Sequence, residues 1–200
     1  MSLLFHSLFL FFFVSASDLI LALSASTARG GQLETLQWLR AQKDFHHVDG
    51  SFTDACEGGH LEIMKWLRSE GCPWDKWGCT CTRAAQHGHL EILKWLRSEG
   101  CPWGGRTWYV AAKNGHLDVL KYLHENGCPW DRVTCEWAAM EGHLDVLKYA
   151  RENGCPWGRG TCYWAARRGH LDVLRWAIDN GCPYEINEYT RRALTSLGLA

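Results

Sequence analysis

A Gly-His pair recurs at residues 59, 88, 115, 142 and 169, spaced by 29 residues once and by 27 three times thereafter. A second ladder follows twelve residues behind: Gly-Cys-Pro-Trp from Gly71, Gly100, Gly127 and Gly154, and Gly-Cys-Pro-Tyr from Gly181. All five prolines belong to it. Such a period marks a repeat array, because units this small cannot bury their own apolar faces and must bury them on one another. A degenerate earlier copy, Gly31-Gln32, lies 28 residues before the first pair. The chain therefore reads as an array over 17–200, not as independent domains. Its units span about 18–50, 51–77, 78–104, 105–131, 132–158 and 159–185, and a C-terminal cap covers 186–200.

One unit suffices to read the local structure. Between Leu117 and Asn126, residues 117, 119, 120, 122 and 123 are apolar and the others polar, which is helical periodicity with one polar stripe. Asp118 and Lys121 form an i,i+3 pair, repeated as Glu62/Lys65, Glu91/Lys94, Asp145/Lys148 and Asp172/Arg175. Gly127 stops the helix and Pro129 follows. A shorter helix precedes each Gly-His, as in Thr134–Glu141 and Thr161–Arg168, where Thr134 and Thr161 are expected N-caps. The Ala-Ala steps at 84–85, 111–112, 138–139 and 165–166 let a neighbouring helix approach closely. No unit reads as a strand. Helices this short are marginal alone in water, so the expected fold is an all-α solenoid of stacked helix-turn-helix repeats.

The run from Ala138 through Gly142-His143-Leu144-Asp145-Val146-Leu147-Lys148 to Glu152-Asn153-Gly154-Cys155 resembles an ankyrin repeat. The likeness recurs in five copies over about 51–184 and more weakly from Asp18. The chain departs from the family in period, 27 against the usual 33, and in having Thr-Cys or Thr-Trp where Thr-Pro is usual. The missing residues fall after Cys-Pro-Trp, where the family's β-hairpin projects. The resemblance thus implies an ankyrin-like array with trimmed or absent hairpins, whose binding surface is carried by the first helices.

Three constellations invite sharper chemistry. Cys72, Cys79, Cys81, His87 and His89 have zinc-ligand residue types. Cys72 and His89, however, belong to the ladders, Cys81 recurs as Cys135 and Cys162, and only Cys79 and His87 are extra, so no metal is assigned. The ladder cysteines of neighbouring repeats stand on the order of 10 Å apart, beyond disulfide reach. A bridge between closer cysteines, such as Cys155 to Cys162, is within reach; the expected state of most of the ten cysteines is reduced. Trp38, Trp66, Trp95, Tyr122, Tyr149 and Trp176 hold one helix position, and Trp74, Trp103, Trp130, Trp157 and Tyr184 one loop position. Both read as core. The alternative, a stacking platform for nucleic acid, is disfavoured because 21 Lys and Arg against 22 Asp and Glu leave a net charge of −1. No phosphate loop, nucleophile elbow or unique acid–base group appears, so neither catalysis nor a cofactor is expected.

The N-terminus is separate. Residues 8–14 are apolar and Val14-Ser15-Ala16 has small residues around a signal-peptidase position, but residues 1–17 contain no Lys or Arg. A signal peptide over 1–16, leading to the secretory pathway, and an apolar extension of a cytoplasmic protein both stand. Cleavage after Ala16 would leave Asp18 to cap a helix over 19–29. The run is too short to span a bilayer.

The functional expectation is a monomeric, non-catalytic scaffold that binds a partner protein through the concave face of the array. The alternative is a secreted or host-directed effector with the same fold. The partner should be encoded where copies differ. The two places before each Gly-His read Glu57-Gly58, Gln86-His87, Lys113-Asn114, Met140-Glu141 and Arg167-Arg168, while Ala-Ala and Gly-His around them persist. The loops add Lys76, Arg106, Arg132 and Arg159. The expected contact set is Gln86, His87, Lys113, Asn114, Met140, Glu141, Arg167, Arg168 and Arg159, a strip that turns basic towards the C-terminal end.

Overall fold

The computed structural model describes residues 16–41, 50–72, 79–103 and 106–199. Among these, every regular element is a helix, and no helix is long and apolar enough to cross a membrane. The apolar run at 8–14, Trp74 and Lys76 lie outside the described residues. The chain divides into two compact units, residues 1–75 and 76–200.

The first unit holds α1 (Ala16–Arg29), α2 (Leu33–Arg40), α3 (Ser51–Gly58) and α4 (Leu61–Ser69). Helix α1 begins at Ala16, so Asp18 lies within its first turn. Helices α1 and α3 lie side by side, with Ala28, Ala55 and Cys56 fully buried. The Arg29 guanidinium pairs with Asp54 and Glu57, both at 2.7 Å, which raises its pKa further.

The second unit alternates first and second helices of each repeat: α5 (Cys79–Gln86) and α6 (Leu90–Ser98), α7 (Thr107–Lys113) and α8 (Leu117–Glu125), α9 (Arg132–Met140) and α10 (Leu144–Glu152), α11 (Arg159–Arg168) and α12 (Leu171–Asp179). Helix α13 (Glu188–Ser196) closes it. First helices pack successively as α5, α7, α9, α11 and α13, and each of the first four contacts its own second helix. The Ala-Ala steps lie on these contacts and are buried, because only a methyl fits where two short helices meet. Second helices supply the large apolar groups: Leu93, Leu120, Leu147 and Leu174 hold one position and are fully buried. Each such side chain contributes roughly 2 kcal/mol, which a helix of nine residues cannot obtain in isolation.

Helix ends follow the glycines. At the end of α8, Gly127 has a φ of 73° and the Cys128 amide donates to the Leu123 carbonyl at 2.9 Å, so the last carbonyls are satisfied as the chain turns. The expected threonine caps are not where the helices begin. Helix α9 starts at Asp131, whose carboxylate accepts from the Val133 amide at 2.8 Å, and α11 starts after Gly158. Thr134 and Thr161 are instead buried inside the first turns. The i,i+3 pairs divide by side-chain length. Glu62–Lys65 and Glu91–Lys94 close at 2.8 and 2.7 Å, whereas Asp118 and Asp145, one methylene shorter, accept from the next backbone amide at 2.8 Å.

The aromatic ladders bridge repeats at the rim and are not core. Trp103 meets Tyr122, Trp130 meets Tyr149 and Trp157 meets Trp176 edge to face, each loop ring touching the next repeat's second helix. Arg97 covers Trp103 at 4.1 Å, Arg151 covers Trp157 at 4.3 Å, and His124 stacks on Trp130 at 4.0 Å. These rings are half-buried, while Trp38 is 64% exposed. A large ring at the edge can bury one face, leave the other wet and still join repeats.

Candidate partner-binding surface

The frame of this surface is the turn between first and second helices. In a helix N-cap position a Ser or Asp side chain normally turns back onto its own helix. Here the N-cap is histidine, and its ring makes no such bond. It reaches back one repeat. His116 Nε2 donates to the Gln86 carbonyl at 3.0 Å, His143 to the Lys113 carbonyl at 3.0 Å and His170 to the Met140 carbonyl at 3.1 Å. A carbonyl only accepts, so Nε2 carries the proton in each ring. In the first unit His60 does the same to Arg29 at 2.8 Å. Each ring lies so close over the preceding turn glycine that a Cβ on Gly115 would stand 2.6 Å from His143 Nδ1. The histidine thus links repeats, which is more than stabilising its own turn.

Of the two variable places before Gly88, Gly115 and Gly142, the first gives its backbone carbonyl to this link and only its side chain is free to vary. Lys113, Asn114, Arg167, Arg168 and His87 are exposed, and Gln86 and Glu141 half-buried. Met140 is buried, at 8% exposure, and meets the surface through its carbonyl alone. Arg159 is exposed but ion-paired with Glu185, and Arg132 faces Glu136 at 3.7 Å, so these two loop charges are locally compensated. Asn114 turns its amide onto the Val110 carbonyl at 2.8 Å.

The structure adds aromatic residues that copy comparison passed over. Tyr109 and Trp137, on adjacent first helices, stack with centroids 5.9 Å apart, and Lys113 Nζ stands 4.8 Å over Trp137. Further along, the Arg167 guanidinium lies 5.1 Å from Trp164, 5.7 Å from Tyr189 and 6.0 Å from Tyr163, whose hydroxyl it also bonds at 3.2 Å. Cation–π contacts of this kind hold a charge in place without neutralising it. The available signal was four aromatic residues inside the first helices, Tyr109, Trp137, Tyr163 and Trp164, at places that vary between copies.

The last turn departs from the others. The copy after Gly169 ends in Gly198-Leu199, so no imidazole covers Gly169, and no atom would lie within 4 Å of a Cβ there. A cleft of about 390 Å³ remains, lined by Arg167, Arg168, Gly169, Tyr189, Arg192 and Ser196. Among the described residues the Arg168 and Arg192 guanidinium groups make no ion pair.

Among the described residues no three His, Cys, Asp or Glu side chains are placed to hold a metal ion. His87 and His89 stack at 6.0 Å, and Cys81 is drawn to Cys101. Cys155 lies against Cys135 and not against Cys162, because the first-helix thiol of its own repeat points at the loop.

A family model described as ankyrin repeats (3 copies) matches residues 52–136 and 83–157, together more than half of the chain. The crystal structure of the human ASB11 ankyrin repeat domain superposes with a TM-score of 0.68 at 20% identity, covering 86% of this chain and 96% of that one. A sequence comparison with curated proteins finds no match.

Proposed function

Because the chain belongs to the ankyrin-repeat family, whose repeats are generally protein–protein interaction modules, we propose that it is a non-catalytic scaffold binding a partner protein through the first-helix ends of residues 76–200. The contact strip runs from Gln86 and His87 through Lys113, Asn114 and Glu141 to Arg167 and Arg168, with Tyr109, Trp137, Trp164, Tyr189 and Arg192 added to it. The observation that carries this reading is the cleft beside Gly169, where Arg168 and Arg192 stand without counter-charges and Arg167 is held among three rings.

Exposed arginines with preset positions favour carboxylates, because the guanidinium fork matches them and little side-chain entropy remains to be lost. Flanking rings supply apolar area. The partner chemistry is therefore an acidic segment that also offers apolar side chains, engaged by one chain acting as a monomer.

A pull-down comparing the native chain with one carrying Lys113→Glu, Arg167→Glu and Arg168→Glu tests the reading. Charge reversal should abolish capture of partners whose binding weakens with salt, while circular dichroism shows the helices retained. If the variant keeps every partner and its salt dependence, this strip is not the site.

A further inference from the structure

The thiols are arranged in a way that partner binding does not require. In every copy from Gly59 onward, a cysteine stands thirteen residues after the turn glycine: Cys72, Cys101, Cys128, Cys155 and Cys182. Seven residues before the same glycine stand Phe52, Cys81, Trp108, Cys135 and Cys162. Three repeats therefore carry a second cysteine, on the first helix. The fold brings each to the loop thiol of its own repeat. Cys81 Sγ donates to Cys101 Sγ at 3.1 Å, and Cys135 and Cys162 make the same side-chain hydrogen bond to Cys155 and Cys182.

We propose that Cys81–Cys101, Cys135–Cys155 and Cys162–Cys182 are three oxidisable dithiol sites, each closing to a disulfide inside one repeat when a peroxide or a low-molecular-weight disulfide is supplied. All six thiols are buried, between 0 and 3% exposed, and each first-helix thiol points at a sulfur. The two members of each pair are not equivalent. In the last two repeats the loop thiol is the more readily ionised: Cys155 and Cys182 are lowered, first by the hydrogen bond from the helix cysteine, with Thr134 and Thr161 beside them and Arg151 adding a favourable field. Cys135 and Cys162 are raised by holding the shared proton and by burial. The Thr134 and Thr161 hydroxyls have no other partner of good geometry, so a loop thiolate would satisfy them. Cys128, in the repeat with Trp108, has no such donor, and burial pushes it up to about 11.

The chemistry balances with the oxidant named. With a peroxide, the loop thiolate attacks one oxygen and becomes a sulfenic acid as the other oxygen leaves and takes up a proton. The helix thiol then loses its proton and attacks that sulfur, expelling hydroxide, which the proton converts to water. Two thiols and one hydrogen peroxide thus give one disulfide and two waters. With a small disulfide, the loop thiolate displaces one thiolate to form a mixed disulfide, and the helix thiol displaces the second. Each bridge ties the start of a first helix to the loop beyond its second helix, constraining repeats one at a time without joining neighbours.

The test uses the full chain, reduced, freed of reductant and exposed to oxidised glutathione in native buffer. Remaining thiols are then alkylated, and the linkages read by peptide mass mapping without reduction. Three linked peptide pairs, 81 with 101, 135 with 155 and 162 with 182, are expected, with Cys72 and Cys128 outside any protein disulfide. Trp108→Cys should create a fourth pair with Cys128, and Cys162→Ala should remove its own link alone. Scrambled pairings, a Cys155–Cys162 link, or links that form only after denaturant is added would overturn the proposal. Neither the glutathione readout nor the variants touch the arginine cleft, so this outcome is independent of partner binding.

Discussion

The interior turns of residues 76–200 and the last turn share a left-handed glycine and differ in what covers it. Gly115 and Gly169 both take positive φ, at 73° and 80°, and both follow a first helix with its Ala-Ala step. Over Gly115 the His143 ring fills the space and donates to the Lys113 carbonyl. Over Gly169 the corresponding residue is Leu199, and the space is a cleft walled by arginines. The interior turn invests its geometry in joining repeats. Where no ring covers the glycine, the same geometry leaves polar backbone and charged side chains available to something else. Repetition therefore produces the scaffold, and the place where repetition fails produces the candidate pocket.

The largest effect should come from Gly115→Ala. The left-handed backbone disfavours any Cβ and the new methyl must displace His143, so the loss is about 3 kcal/mol, read as a lowered chemical denaturation midpoint. Gly169→Ala meets the same strain in open space and should cost only about 1–2 kcal/mol. Equal losses would remove the distinction between the two turns.

His143→Ala ranks next. It forfeits the bond to the Lys113 carbonyl and should cost about 1–2 kcal/mol. Combined with Gly115→Ala, the two losses should fall short of their sum by about 1 kcal/mol, since removing the ring also removes the clash. Strict additivity in that double-mutant cycle would mean the ring and the glycine do not interact.

Arg192→Glu should leave the thermal midpoint alone and weaken an acidic partner by about tenfold, because it reverses one free charge of the cleft. A binding isotherm that does not move would place the partner elsewhere. The smallest change is Leu199→His, which supplies the missing ring. It should gain about 0.5–1 kcal/mol by bonding the Arg167 carbonyl and should compete with the partner for the cleft. A gain in stability without any loss of binding would separate the slot from the site.

Much of this was readable along the chain. The ladders alone imply helices between glycines, Ala-Ala contacts between first helices and leucines on second helices, and the family resemblance follows from the same residues. What misled was local reasoning about residues whose partners lie far away. Thr134 and Thr161 look like caps because capping is a short-range rule, yet both are buried inside helices that begin earlier. The tryptophan ladder looks like core because it recurs, and recurrence reports a shared neighbour without reporting depth. Arg159 looks free until Glu185, 26 residues on, is placed beside it.

From the sequence by itself came what depends on period: the helical type of the elements, the glycines that stop them, and the Ala-Ala and leucine positions that recur between them. These are set by interactions within one turn of helix or by identical contacts between identical copies. Only the tertiary structure decided which histidine meets which carbonyl, which thiols pair, and where the arginines stand uncompensated. Those contacts join residues 20 to 30 positions apart, and a shift of a few ångströms between packed helices, invisible in any residue pattern, determines whether two groups touch.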